Sequence, residues 1–328
     1  MKEISFATAI TEAMDEEMAR DERVYVIGED VSAGSYDYTG GATGTLIGKY
    51  GKDRVIDTPL SENGIAGSAV GAAIAGFRPI AELMFADFMY IAMDEIKNAA
   101  MWQFANGGPE KTLKIPIVYR LPMGGYVHLG VDHSRAAFSP ILHLPGMKVV
   151  VPTTPYDAKG LLKTAVRDNN PVCFFEHKML YQTTGPVPEE EYTIPFGVAD
   201  VKKEGKDVTV VALGLMVPWS LEVASQFEAK RVSIEVIDPR TLEPLDIETI
   251  VKSVRKTGRV VFVEEDMLRC GTTCEIGMQI MEQAFDALKT PIVRVGAKNY
   301  PIPAGYMENH VLPQKTDIVG AIEKVLGR

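Results

Sequence analysis

Three cysteines and two tryptophans in 328 residues leave no material for a disulfide framework. Cys173, Cys270 and Cys274 are sparse and odd in number, the pattern of reduced thiols in a cytosolic protein. Cys270 and Cys274 make a C-x-x-x-C pair with no second ligand pair nearby, so they read as two small, half-buried residues at a helix start. The histidines, His128, His133, His143, His177 and His310, show no zinc spacing. There is no G-x-S-x-G elbow, and GGATGTLIGKYG lacks both the G-K-[ST] ending of a phosphate loop and a clean G-x-G-x-x-G. The longest nearly apolar run, Ile65 to Phe77, is too short to span a bilayer. MKEISFATAI has no apolar signal core. A net charge of −10 argues against a general binder of nucleic acid or anionic membrane. These absences predict a cytoplasmic protein long enough for two domains.

What is present is a regular alternation of apolar patterns. Phe6, Ile10, Ala13, Met14 and Met18 recur at helical spacing with acidic residues between them, and Ser5 is placed to cap that helix. Val24 to Ile27, closing on Gly28, reads as a buried strand. SAGSYDYTGGATG reads as a loop. After Pro59, SENGIAGSAVGAAIAG is dominated by small residues, which fits a helix pressed on another element. Strands are expected at Ile115–Tyr119, Lys148–Val151 and Val172–Phe175, with a helix near 156–168. TTGPVPEEEYTIP reads as a linker. Beyond it strands at 208–213, 232–237, 260–263 and 292–295 alternate with helices near 218–230, 247–256 and 273–287, and a last helix starts near Asp317. Alternation of this kind predicts parallel sheets covered on both faces. The expected organisation is α/β in two domains, 1–185 and 201–328, with a linker at 186–200.

Two short segments could carry chemistry. In DTPLSENGIAG, Glu62 falls where a loop gives way to the small-residue helix. A carboxylate in a first helical turn is favoured by the macrodipole alone. In GVDHSR, His133 is a possible general acid or base, though a loop histidine is also ordinary polar surface.

DTPLSENGIAG, GFRPIAELMFADF, VDHSR, LPGMKVVVPTTPYDAKGLL and RDNNPVCFFE, followed by DPRTLEPLD, KTGRVVFVEE and LPQKTDIVGAI, resemble the β subunits of the thiamine-diphosphate-dependent 2-oxo acid dehydrogenase family. The resemblance runs in order along nearly the whole chain. It implies a pyrimidine-binding domain followed by a transketolase C-terminal-like domain. It places the catalytic glutamate on Glu62, which would share a proton with the aminopyrimidine ring. Leu60 falls on a position that touches the pyrimidine, Phe88 on an aromatic position that stacks near it, and Glu29 on an acidic position near the cofactor. His133 falls on a histidine that serves the substrate carbonyl and acyl transfer. Arg135 stands where the family has Gln, and His128 where it has a small residue.

The same resemblance implies a potassium ion on the carbonyl oxygens of Ile117, Ala165, Val166, Asp168 and Asn170. Family members hold Mg²⁺ and the diphosphate on a Gly-Asp-Gly motif, which this sequence lacks. An α subunit is therefore implied, in an α2β2 heterotetramer, with a lipoyl acyltransferase as the further partner in a multienzyme complex. AELMFADF, PYDAKG and EEEYTIP look closest to acetoin dehydrogenase β subunits, with pyruvate or branched-chain 2-oxo acid dehydrogenases as the alternative. A non-catalytic scaffold subunit and a self-sufficient flavin or nicotinamide enzyme are the readings of other classes.

Overall fold

The computed structural model describes residues 1–33, 41–107 and 113–328. The glycine-rich loop expected after Val31 falls largely on 34–40 and lies outside them. The described chain divides into two units, Met1–Met123 with Pro140–Phe196, and Gly124–Ser139 with Gly197–Arg328.

The first unit opens with strand β1 (Lys2–Ser5) and helix α1 (Phe6–Arg20), where Ser5 accepts from Thr8 N as the N-cap. The apolar residues Phe6, Ile10, Met14 and Met18 are buried as their spacing predicts. The unit continues through β2 (Val24–Gly28), α2 (Leu46–Tyr50), β3 (Val55–Asp57), α3 (Glu62–Ile74) and β4 (Arg78–Glu82). A 3-10 helix, Ala86–Tyr90, leads to α4 (Met93–Gly107), β5 (Val118–Met123) and the short α5 (Ser139–Leu142). The unit closes with β6 (Lys148–Val150), α6 (Pro155–Arg167), β7 (Val172–His177) and β8 (Thr184–Val187). Its main sheet runs β6-β7-β5-β4-β2-β3 with parallel neighbours. β8, at the start of the expected linker, pairs antiparallel with β1.

Strand order explains where a ligand can sit. From β2 the chain goes outward to β3 and then crosses back to β4 on the other side. In an open parallel sheet such a switch point leaves a crevice at the carboxyl ends of the strands. Gly28 ends β2 because nothing larger fits: a Cβ there would lie 2.8 Å from Glu82 O and 2.9 Å from Val31 Cγ1.

Charge is also used inside this unit. The acidic residues between the apolar positions of α1 face α6. Lys159 reaches Glu16 at 2.6 Å and Glu12 at 3.0 Å, Lys163 reaches Glu16 at 2.6 Å, and Arg167 reaches Glu17 at 2.6 Å. Under the sheet, Arg120 is fully buried and held by Glu82 and, through Nε at 2.6 Å, by Glu176. Tyr181 Oη donates to Glu176 at 2.6 Å. A buried guanidinium is tolerable only when paired in this way.

The second unit comprises β9 (Asp200–Lys203), β10 (Val208–Ala212), α7 (Met216–Glu228), β11 (Ile234–Asp238), β12 (Thr241–Glu243), α8 (Ile247–Thr257), β13 (Val260–Met267), α9 (Thr272–Ala284), β14 (Val293–Ala297) and α10 (Lys315–Leu326). Its five-stranded sheet is ordered β14-β13-β10-β11-β9, parallel except for β9. Val211, Ile237, Val254, Phe262 and Ile280 form its core. Cys270 and Cys274 are exposed, not half-buried, because Cys270 stands in the turn before α9 and Cys274 on its outer side.

β13 runs four residues beyond the expected strand, through Glu264, Glu265 and Asp266, all buried. Glu264 accepts from the Thr273 hydroxyl and has a second oxygen with no partner. Desolvation by burial pushes its carboxyl from 4.5 up to about 8, with Asp266 adding repulsion. A carboxyl raised on folding adds stability below its unfolded value and loses it as pH rises through the folded one. Stability should therefore fall between about pH 5 and 8, and Glu264→Gln should flatten that slope. Urea unfolding of both proteins across this range is the measurement; parallel slopes would contradict the burial argument.

Candidate functional site

The residues expected at a cofactor converge from the carboxyl ends of β2, β3 and β4. Just past Gly28, Glu29 is buried and accepts from Ser61 N at 3.1 Å through Oε1. Thr58 N donates to Gly28 O at 3.0 Å. Ser32 N donates to Asp57 Oδ1 at 2.8 Å, and the Ser32 hydroxyl donates to the same carboxylate. The loops after β2 and β3 are thus tied together, and the second delivers the start of α3.

Glu62 is the first residue of α3 and is largely buried. Ser61 stands at the N-cap but its hydroxyl donates to Pro59 O at 2.8 Å and does not cap the helix. The positive end of the helix is left for Glu62 and whatever it meets. Burial raises the Glu29 carboxyl above its ordinary value; the Ser61 N–H opposes this, and the charges of Glu62 and Asp30 reinforce it.

Leu60 projects into solvent at 84 % exposure, two residues before Glu62. The hydroxyl of Thr58 is buried without a partner. Phe88 lies in the 3-10 helix after β4 and is half-buried. An apolar face at Leu60, an orphaned hydroxyl and the two buried carboxyls of Glu29 and Glu62 fit a flat heteroaromatic ring with a polar edge. The structure therefore brings Glu29, Leu60 and Glu62 onto neighbouring loops of the first unit, with Phe88 following the next strand.

His133 belongs to the second unit, in the segment between β5 and α5. It is half-buried, and its N–H donates to Gly130 O at 3.2 Å. Gly124 N donates to Arg135 O at 3.2 Å, which closes the segment on itself. Sequence reasoning marked His133 but missed the carboxylates that hold this segment, Glu265 and Glu308. The only signal for them was the unusual His128.

The five carbonyls expected around a potassium ion lie near the end of α6. Arg78 Nη1 donates to Val166 O and Asp168 O at 2.9 Å each, and Arg78 Nη2 donates to Asn169 Oδ1 at 2.9 Å. Val172 N donates to Ile117 O at 2.9 Å and Asp168 N to Ala165 O at 3.3 Å. Asp168 is itself paired with Lys148 and accepts from Asn170 N at 2.8 Å. Two of these five oxygens are thus already taken by the Arg78 guanidinium, itself a cation. Among the described residues no cluster of three or more His, Cys, Asp or Glu side chains could hold a metal ion, and no helix is long and apolar enough to cross a membrane.

A parallel sheet with its switch point between β2 and β4, and a second parallel-sheet unit, define a transketolase-like architecture. The family described as "Transketolase, pyrimidine binding domain" matches residues 2–184, and "Transketolase, C-terminal domain" matches 197–318. The chain is 44 % identical to the acetoin:2,6-dichlorophenolindophenol oxidoreductase subunit beta of Cupriavidus necator, over 99 % of this chain and 98 % of that one. It is 42 % identical to the pyruvate dehydrogenase E1 component subunit beta of Bacillus subtilis, over 99 % of each. Among solved structures, a "split gene transketolase, inactive beta4 tetramer" shares 26 % identity at a TM-score of 0.78, over 99 % of both chains. The chain belongs to the transketolase-like family that contains the β subunits of acetoin and pyruvate dehydrogenases.

One consequence of the geometry is independent of chemistry. Arg78→Met removes three hydrogen bonds from the turn after α6. Bonds from a charged donor contribute roughly 1.5–3 kcal/mol each at most, and less where water can replace them. A loss of about 2–4 kcal/mol in urea unfolding is expected; an unchanged midpoint would show that the turn does not depend on Arg78.

Proposed function

We propose that this chain is the β half of a thiamine-diphosphate-dependent dehydrogenase that cleaves acetoin and passes the acyl group to a lipoyl group on an acyltransferase. The observation that carries the reading is Glu62, the first residue of α3, beside buried Glu29 and exposed Leu60 at the switch point of the first sheet. When bound, thiamine diphosphate supplies a nucleophilic thiazolium carbon and an electron sink.

The chain's own residues prepare that chemistry. Glu62 would hold a proton at the ring nitrogen of a bound aminopyrimidine, which favours the imino tautomer, whose nitrogen is the base. Glu29 fixes the start of α3 by accepting the Ser61 N–H. Leu60 and Phe88 give the ring apolar surface. His133 serves the substrate carbonyl and then acyl transfer. Mg²⁺ and the diphosphate fall to an α subunit in an α2β2 assembly, since the sequence has no Gly-Asp-Gly. A potassium ion on the carbonyls of Ile117, Ala165, Val166, Asp168 and Asn170 would act as a structural brace at the end of α6.

Pyruvate is the second reading, favoured by relatives of nearly equal similarity. The assembled enzyme should reduce dichlorophenolindophenol with a higher kcat/KM for acetoin than for pyruvate. The reverse order would transfer the assignment to pyruvate.

The role of Glu62 is separable from its helix position. A carboxylate at a helix start contributes about 0.3–1 kcal/mol to stability, whereas a proton-sharing group acts on rate by about 10²–10⁴-fold. Glu62→Gln should assemble with the α subunit and melt within a few degrees of wild type. Its bound cofactor should exchange the thiazolium hydrogen with deuterated water at least about 10²-fold more slowly, read by quenched-flow NMR. An unchanged exchange rate with lowered stability would reduce Glu62 to a helix-start charge.

A further inference from the structure

The segment that carries His133 has a strained backbone. Gly124, Tyr126, His128 and Gly130 all have positive φ, at 92°, 66°, 65° and 91°. For side-chain-bearing residues the left-handed region costs roughly 1–2 kcal/mol each, so surrounding structure must enforce it. Contacts that enforce it come from the second unit. Gly125 N donates to Glu265 Oε1 at 2.5 Å, and Tyr126 Oη donates to Pro313 O at 2.7 Å.

His128 is held most fully. Its ring Nδ1 lies 2.7 Å from Glu308 Oε1, and its backbone N–H donates to the same oxygen at 3.3 Å. Its carbonyl accepts from Gly305 N at 3.1 Å, and its ring lies 4.6 Å from that of Tyr306. Glu308 is fully buried, and its other oxygen has no partner. Two residues on, a Cβ at Gly130 would lie 3.2 Å from Ala304 Cβ, so the segment is drawn against the same 3-10 helix, Gly305–His310, and the residue before it. His133 N then bonds back to Gly130 O.

We propose that His128 and Glu308 form a latch that fixes the 124–135 segment, which makes His128 a positioning residue for His133. A small residue at 128 would leave the buried Glu308 carboxylate with the backbone N–H but without the ring donor. The positioning claim rests on the role assigned to His133 above; the latch does not.

The test uses the assembled enzyme with its α subunit, three latch variants and His133→Ala. His128→Ala removes the ring donor. His128→Asn keeps a short donor in a residue that tolerates positive φ. Glu308→Gln keeps the shape of the acceptor without its charge. Hydrogen exchange of peptides covering 124–135 is read without substrate, and lipoyl acylation is read as separate kcat and KM. His128→Ala and Glu308→Gln should speed exchange of this segment by about tenfold or more while peptides of β10 and β13 are unchanged. Acylation kcat should fall by a similar factor with little change in KM, and His128→Asn should recover part of both.

Unchanged exchange in His128→Ala would overturn the latch. Faster exchange with unchanged acylation would overturn the positioning role if His133→Ala still lowers acylation. If His133→Ala is neutral as well, the assignment of His133 fails, and the exchange result alone upholds the latch.

Discussion

The interaction on which the rest depends is the hydrogen bond from the Ser61 N–H to Glu29, which sets the start of α3 at the carboxyl end of β2. Glu29 is buried there, and burial raises its carboxyl, with the charges of Glu62 and Asp30 adding to the effect. Bringing like-charged groups out of water costs free energy unless a proton or a ligand intervenes. The fold imposes that cost through Gly28, which lets β2 approach β4 closely, and through the ties from Thr58 and Ser32 that bind the loop after β3 to the loop after β2. A site built this way is ready for a partner that shares a proton, which is what an aminopyrimidine offers.

Elsewhere the chain handles buried charge by pairing it. Arg120 sits between Glu82 and Glu176, and the lysines of α6 sit on the glutamates of α1. Against these satisfied groups the exceptions are conspicuous: Glu264 and Glu308 in the second unit each keep one oxygen without a partner. Polar groups left in this state mark places where structure is held under strain or tuned for use. For Glu308 the strain is visible in the left-handed backbone beside it.

Much of this could be read from the sequence, and the parts that could not have a common cause. The helix of Phe6, Ile10, Met14 and Met18, the strand ending at Gly28 and the alternation of the second unit are local patterns, and the structure has them. β4 was hidden because Pro79 lies in RPIAE, a poor strand signal by local rules. β8 was hidden in TGPV, which carries turn residues yet pairs with β1 from the other end of the unit. The acidic side of α1 reads as solvated until Lys159 and Lys163 are seen against it. Glu62 is marked by its place at the start of a small-residue helix and by family resemblance, but the hydrogen bond from Ser61 to Glu29 that sets this helix start spans a separation that no periodicity reports. The Glu265 and Glu308 anchors are likewise non-local.

The central claim is that Glu62 interacts with one atom of the cofactor, the pyrimidine ring nitrogen. Calorimetric titration of the assembled enzyme with thiamine diphosphate and with an analogue carrying C–H in place of that nitrogen isolates the interaction. Wild type and Glu62→Gln form a double-mutant cycle with the two ligands. A coupling of about 1–3 kcal/mol, lost in the variant, is the predicted result. Additive effects, with the analogue weakened equally in both proteins, would contradict it.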